Sequence, residues 1–463
     1  MKVLIINGSP AGDDSITLQT MLYIKEWFRR HDYEIINAAQ SIKRYENDFS
    51  QVRRALKDAD LLVFCYPVYT FLVPSQLHRF IELIKESGID LSDKYATQVS
   101  TSKHFYDMTA HEFIRQNCMD LKLKYITGLS ADMEDLLSGR GRREALSFFH
   151  HVLWSINEGL YDMPVRIRRR RKYRQLEGIE DAEKYRDHEK SGEKKVAIVT
   201  DLTDDNPALK DMIDLFRRRF PYDTKVINLR DVKIRGGCLG CFNCAAEGKC
   251  IYRDDFERLL RRVIQVADAT VYAFSIKDHS MGSLFKMYDD RQFCNGHRTV
   301  TMGKPVGYIV DGFLSDEPNL LTVMEARAQV GGNQLAFIAG NEVNTEDNIN
   351  RLAMELEYDL RHHYSQPADF YGVGGRKIFR DLIFEMQGLM REDHRFYKKN
   401  GFYDDFPQNH RGRIIGMYFV GAMLKNQTIK DKIGGSLSKG MLAPYKRAIK
   451  QQDKHKPGRK TDR

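Results

Sequence analysis

Short runs of apolar and β-branched residues alternate with amphipathic stretches along the chain. The runs over residues 3–6, 33–37, 60–65, 96–100 and 124–128 read as strands, and the segments between them carry helical spacing. Such alternation predicts a parallel sheet covered by helices on both faces. The pattern lapses over "MPVRIRRRRKYRQLEGIEDAEKYRDHEKSGEKK", residues 163–195, where apolar positions almost vanish and charge takes over. It resumes with strand-like runs at 196–200, 225–229, 270–275, 306–310 and 335–339. The chain therefore reads as one α/β architecture used twice, each half a five-stranded, doubly wound sheet of order 2-1-3-4-5. The expected domains are 1–162, a charged linker 163–193, 194–373, and a helical extension with a basic tail over 374–463.

Direct comparison of the halves supports a duplication. "NDFSQVRRALKDADLLVFCYPVY" (residues 47–69) resembles "DDFERLLRRVIQVADATVYAFSI" (residues 254–276): both run Asp-Phe, a helix, Ala-Asp and a buried strand.

Composition narrows the class. A chain of 463 residues with 42% hydrophobic content can bury more than one core. No run approaches the roughly 20 apolar residues that cross a bilayer. The start, "MKVLIINGSP", enters a strand and a turn without signal-peptide features, so the expectation is a cytoplasmic protein without a membrane partner. Seven cysteines, four of them inside "CLGCFNCAAEGKC", suit a reduced compartment with a metal site better than a disulfide framework. The net charge of +9 is modest for the length and favours anionic partners without requiring them. The basic runs "RIRRRRKYR" (166–174), "GRGRR" (139–143) and "KHKPGRKTDR" lack aromatic stacking platforms and read as solvated surface, so no nucleic-acid partner is expected.

The candidate chemistry of the first half lies at the carboxyl ends of its strands, where open α/β sheets bind ligands. "IINGSPAGDDSITLQTML" places a Gly-Ser-Pro turn before a helix beginning near Ser15. There the hydroxyls of Ser9, Ser15 and Thr17 and the helix N–H groups can converge on one anion. Asp14 is expected to cap that helix from outside. The next strand end, "CYPVYTFLVPSQLHRF", offers Tyr66 and Tyr69 as an aromatic wall. A third, "VSTSKHFYD", brings Ser100, Thr101, Ser102 and His104. Cys65, inside a strand, reads as a small core residue.

"NGSPAGDDSITL", "YPVYTFLVPSQLHRF" and "STSKHFYD" together resemble the flavodoxin-like NAD(P)H-dependent FMN reductases and their iron–sulfur flavoprotein relatives. The resemblance covers most of residues 1–160 and, more patchily, 194–370. It implies two tandem flavodoxin-like sheets and an FMN-dependent oxidoreductase using NAD(P)H. On that reading Ser9, Ser15 and Thr17 bind the FMN phosphate, Pro67, Val68, Tyr69 and Thr70 line the ring, and Ser100, Thr101, Ser102 and His104 close its other edge. The chain departs from many relatives in carrying Asp13 and Asp14 beside the phosphate loop, which is unfavourable unless they point outward. No nucleophile or proton donor is legible. His104 is a candidate for polarising the flavin edge.

Cys238, Cys241, Cys244 and Cys250 follow C-x2-C-x2-C-x5-C. Thiolates so spaced suit a [4Fe–4S] cluster, as the iron–sulfur branch of the resemblance implies. A zinc ion, or no metal, are the rival readings. The second half opens on "TDLTDDNPAL" and "SIKDHSMGSLFKMYDDR" in place of the first half's motifs, so it is not expected to bind its own FMN. Asp278 and His279 lie at its ligand edge, where His279 reads as a surface residue. The expected function is electron transfer from reduced nicotinamide, or a protein donor, through flavin to a small-molecule or protein acceptor. The chain would be a pseudo-dimer, alone or in a homo-oligomer. The alternatives are a non-catalytic flavin/iron–sulfur electron carrier and a scaffold or sensor poor in cofactors.

Overall fold

The structure is a computed structural model that describes residues 1–162, 190–423 and 425. The charged stretch at 163–189 and the basic tail lie outside the described residues.

The first sheet is built from β1 (Lys2–Asn7), β2 (Asp32–Ile36), β3 (Leu61–Pro67), β4 (Tyr95–Ser102), β5 (Lys124–Tyr125) and β6 (Leu129–Asp132). It is parallel throughout, in the order β2-β1-β3-β4-β5, with β6 also on β4. The expected fifth strand is thus two short segments that pair with the two ends of β4. The break has a steric cause at Gly128, where a Cβ would lie 2.2 Å from Gln98 Cγ and 2.5 Å from the Gln98 carbonyl oxygen. Only a residue without a Cβ fits at this point between the two segments.

The second sheet holds β7 (Ser191–Thr200), β8 (Tyr222–Asn228), β9 (Ala269–Ser275), β10 (Pro305–Asp311) and β11 (Gln334–Gly340). Its order is β11-β10-β9-β7-β8, again all parallel, so counted within its own half it has the same 2-1-3-4-5 winding. β7 starts at Ser191, inside the stretch whose composition read as linker.

The duplicated segments differ by one residue, and the structure shows where it went. Phe49 to Ala59 in the first half corresponds to Phe256 to Ala267 in the second, which is one residue longer. The second-half helix Asp255–Leu259 continues as a π-helical turn over Leu260–Ile264. A π turn absorbs a single inserted residue without shifting the next element, so β9 enters its sheet in the same phase as β3.

Three buried clusters fill the molecule. Two cover the outer faces, one around Val3, Ile5 and Phe149 and the other around Ile198, Phe216 and Leu356. The largest draws Leu4, Ile6 and Phe80 from the first half and Phe274, Phe285 and Tyr308 from the second into one core. Both sheets accordingly belong to one compact unit, Met1–Tyr397. The helix Phe370–Glu385 is part of that unit rather than an appendage. Its Phe379 stacks on Phe105 at 4.1 Å, and the Tyr371 carbonyl accepts the Tyr106 hydroxyl at 2.7 Å. A second unit begins at Lys398 and includes, among its described residues, the helix Arg411–Met423. No helix among the described residues is long and apolar enough to cross a membrane.

Candidate functional site

The first strand end is an ordered turn that leads into a capped helix. Ser15 is the N-cap of the helix Ile16–Trp27, its Oγ accepting the Leu18 N–H at 3.4 Å. The cap is therefore Ser15 and not Asp14, which sits in the preceding 3-10 turn Gly12–Asp14. Ser9 Oγ accepts the Ala11 N–H at 3.3 Å. In both bonds the serine oxygen accepts, which leaves each O–H free to donate to an anion. The helix start adds backbone N–H groups with no intrahelical partner. Asp13 and Asp14 are exposed, and Asp13 takes the Asn37 amide at 3.0 Å, so both carboxylates turn to the outside of the cradle.

Thr17 ties this loop to the third strand end, since its hydroxyl shares a short hydrogen bond with that of Thr101. Ser100 Oγ bonds His111 Nε2 at 2.8 Å, and Ser102 Oγ accepts the His104 N–H at 2.9 Å. His104 itself is exposed, has a positive φ of 54°, and pairs with Asp107 at 2.9 Å.

The second strand end differs from its expected form. Tyr66 is fully buried and donates to Gln98 Oε1 inside the core, so it forms no part of an exposed wall. It belongs to β3, where alternate side chains face the covered side of the sheet. Pro67, Val68, Tyr69 and Thr70 follow as a half-buried turn, in which Tyr69 and Leu72 bridge and Thr70 and Phe71 have positive φ. The Tyr69 phenol points at the cysteine loop of the other half: a Cβ on Gly240 would lie 2.0 Å from its oxygen. Burial, then the negative potential of Cys238, Asp290 and Cys241, raises the Tyr69 pKa far above the usual phenol value. Phe71 packs on Phe105 and Tyr106 at 5.2 and 4.6 Å.

The cysteine loop leaves the carboxyl end of β8 and turns through a short helix, Asn243–Glu247. Cys238 and Cys244 are pushed up to about 12 and about 11 by burial first, with Asp290 for Cys238, Asp393 for Cys244 and neighbouring thiols for both adding to the effect. The Gly240 N–H donates to Cys238 Sγ at 3.5 Å, and the Gly296 N–H serves Cys244 in the same way. Bonds of this kind stabilise thiolates. Among the described residues, no three of these sulfurs lie within 4.8 Å of one another. Tetrahedral zinc, with Zn–S near 2.3 Å, requires sulfurs about 3.8 Å apart. The four sulfurs therefore do not form a tetrahedral zinc cage in this structure.

Several residues here escaped sequence reasoning. Buried Cys294 lies within electrostatic reach of Cys250 and Cys244. Asp393, fully buried, takes both the backbone N–H and Nδ1 of His297 at 2.9 Å, while Arg298 Nη1 reaches the Cys244 carbonyl at 3.4 Å. Arg261 Nη2 donates to the carbonyls of Gly248 and Cys294.

The two halves meet through the helices Ser75–Glu86 and Gly282–Arg291, which cap one another. The Ser75 N–H donates to Asp290 at 2.8 Å, and the Ser283 N–H donates to Glu82 at 2.9 Å. Ser75 matches Ser283 and Glu82 matches Asp290 at one constant offset, so the contact is a pseudo-twofold exchange of helix caps. The only sequence trace was a serine followed seven positions later by an acid in both "SQLHRFIE" and "SLFKMYDD". The same offset matches Thr70 and Phe71 to Asp278 and His279, whose φ angles are also positive. His279 is not on the surface: it is 6% exposed and bonded to Glu317 at 2.9 Å and Asp120 at 3.0 Å. Asp278 pairs with Lys85 at 2.8 Å.

At the second half's own ligand edge the chemistry is acidic. Asn206 Nδ2 donates to Ser275 Oγ and Asp311 Oδ2 at 2.6 and 3.1 Å. Burial pushes Asp201 up to about 6 and raises Asp311.

The sequence profile of the NADPH-dependent FMN reductases matches residues 1–131. Residues 1–131 are similar to the NADPH-dependent FMN reductases. Over 190 residues, 39% of this chain and 86% of the relative, the sequence is 26% identical to an iron–sulfur flavoprotein of Archaeoglobus fulgidus. Among solved structures, an FMN-dependent NADH-azoreductase from Bacillus anthracis matches at 16% identity, 34% of this chain and 99% of that one, with a TM-score of 0.26. An NAD(P)H:quinone oxidoreductase from Methanothermobacter marburgensis matches at 13% identity, 34% and 94% coverage, and a TM-score of 0.27. The residues matched by that profile contain all three strand-end loops described above.

Proposed function

We propose that the chain is an NAD(P)H-dependent flavin oxidoreductase with one FMN on the loops of its first half and a [4Fe–4S] cluster on Cys238, Cys241, Cys244 and Cys250. The observation that carries this reading is the contact of Tyr69, on the ring-lining loop, with Gly240, inside the cysteine motif. Bound there, the two groups would supply acceptance of a hydride from reduced nicotinamide and onward release of electrons one at a time.

The chain's own residues hold and tune. The Ser9, Ser15 and Thr17 hydroxyls and the helix N-terminus bind the phosphate. Pro67, Val68, Tyr69 and Thr70 line one side of the ring, and Ser100, Thr101, Ser102 and His104 the other. The Thr17–Thr101 bond fixes the spacing between the phosphate and ring ends of that site. Gly240 and Gly296 N–H groups offset charge on the thiolates. The second half is left without flavin because Asp201 and Asp311 line its edge, where a phosphate dianion would be repelled. The acceptor is a small molecule or a protein.

Anaerobically purified protein tests the reading. FMN together with about four iron and four sulfide per chain, and NADPH oxidation that Cys241→Ser slows at the acceptor step while FMN stays bound, support it. Iron-free protein after anaerobic reconstitution removes the cluster, and protein that binds no FMN removes the flavin.

A further inference from the structure

The junction holds a second constellation of ligand-type side chains, away from both the flavin loops and the cysteines. His78 and Glu82 from the first half and Asp278 from the second place one ligand atom each within 4.8 Å of one another. His78 is 0% exposed, and neither of its ring nitrogens has a hydrogen-bond partner, nor does the buried Oδ2 of Asp278. Orphaned buried polar atoms are rare, and three in one place ask for an occupant. Burial holds His78 near 4, so its imidazole is neutral and can offer a lone pair.

The pseudo-twofold supplies a control within the same molecule. At the matching position of the other half Lys286 replaces His78, Asp290 replaces Glu82 and Thr70 replaces Asp278. There the Lys286 ammonium, 0% exposed, pairs with Asp290 and donates to the Tyr69 carbonyl at 2.9 Å. That site carries one buried cation and one carboxylate. Its mate has two carboxylates and a neutral imidazole in the same cradle. Arg79 and Lys277 reach Glu82 Oε2 at 2.8 and 3.1 Å, Ser283 donates to both Glu82 oxygens, and Lys85 takes Asp278 Oδ1 at 2.8 Å. These groups contact Glu82 and Asp278 Oδ1, while both His78 ring nitrogens and Asp278 Oδ2 remain without a partner.

We propose that a divalent cation of the zinc class binds His78, Glu82 and Asp278 and staples the two halves together. One imidazole and two carboxylates form a mixed nitrogen and oxygen set of the kind zinc accepts. Asp278, with a side chain 11% exposed, is the member nearest solvent.

The test uses full-length protein dialysed against micromolar zinc, with zinc content and zinc-edge X-ray absorption as readouts. One zinc per chain with nitrogen or oxygen neighbours at about 2.0–2.2 Å is expected in the parent and in Cys241→Ser. Asp278→Asn and His78→Gln, checked for folding by circular dichroism, should each weaken that zinc at least tenfold. They should also abolish the rise in melting temperature that zinc gives the parent. Zinc with sulfur neighbours only, no retained zinc, or light-atom zinc unaffected in both variants overturns the proposal.

Discussion

The Tyr69 hydroxyl and the Gly240 backbone lie in such close contact that a Cβ on Gly240 would stand 2.0 Å from the phenol oxygen. Tyr69 lies in the turn that follows β3 of the first sheet and Gly240 sits between the first two cysteines of the second half. Two motifs some 170 residues apart in sequence thus share one surface. The contact requires a glycine twice over, because φ at this position is 66°.

Gly240→Ala is therefore expected to destabilise the protein by at least the about 1–2 kcal/mol that a non-glycine residue loses in the left-handed region, with the steric clash added. Tyr69→Phe removes the oxygen that clashes. The double variant should recover part of the loss in urea denaturation, and strict additivity would mean that the two residues do not meet.

Thr17 can be tested without disturbing a helix cap, since the cap belongs to Ser15. Thr17→Val keeps the side-chain shape and removes the hydroxyl. FMN titration followed by fluorescence should show binding weakened by about 1.5–3 kcal/mol, the worth of a hydrogen bond to a charged group. Unchanged affinity would exclude Thr17 from the phosphate site.

At the junction Asp290 serves three donors: Thr70 Oγ1, the Ser75 N–H and the Lys286 ammonium. Asp290→Asn leaves Lys286 charged and unpaired in a fully buried position, which costs about 3–5 kcal/mol. Lys286→Met combined with Asp290→Asn should be markedly more stable than Asp290→Asn alone in denaturant melts. Equal stability of the two would show that the pair is not coupled.

Much of the fold was legible, because fully buried parallel strands are continuous apolar runs and every run from residue 3 to 339 proved to lie in or beside a strand. The phosphate-loop hydroxyls were legible as well, since a Gly-Ser-Pro turn before a helix is a local signal. The junction was not. Helical periodicity marks an apolar face without saying which partner covers it, so the exchange of Ser75 and Ser283 caps left only a repeated serine and acid. Tyr66 was misassigned because its neighbours in "CYPVY" obscure where the strand ends. Cys294 and Asp393 approach the cysteine loop through tertiary packing alone, which no spacing along the chain encodes.

Acid should act on the junction through Glu82. Burial alone would raise its pKa, but His78, which takes up its proton at about pH 4, the Ser283 N–H, Lys277 and Arg79 hold it down to about 2, against 4.5 for an ordinary glutamate. The folded form therefore binds its proton more weakly than the unfolded one. The stabilisation is complete above pH 4.5 and drains away as pH falls towards about 2. Denaturant melts in the presence of a chelator should show a slope in that window that Glu82→Gln flattens. An identical slope in the variant would place the acid sensitivity elsewhere.

The central claim is one flavin per chain, held by the first half, and the stoichiometry of FMN binding to the full-length protein by isothermal titration tests it most directly. One FMN per chain is the expected result; two per chain would place a second flavin on the other half and overturn the assignment.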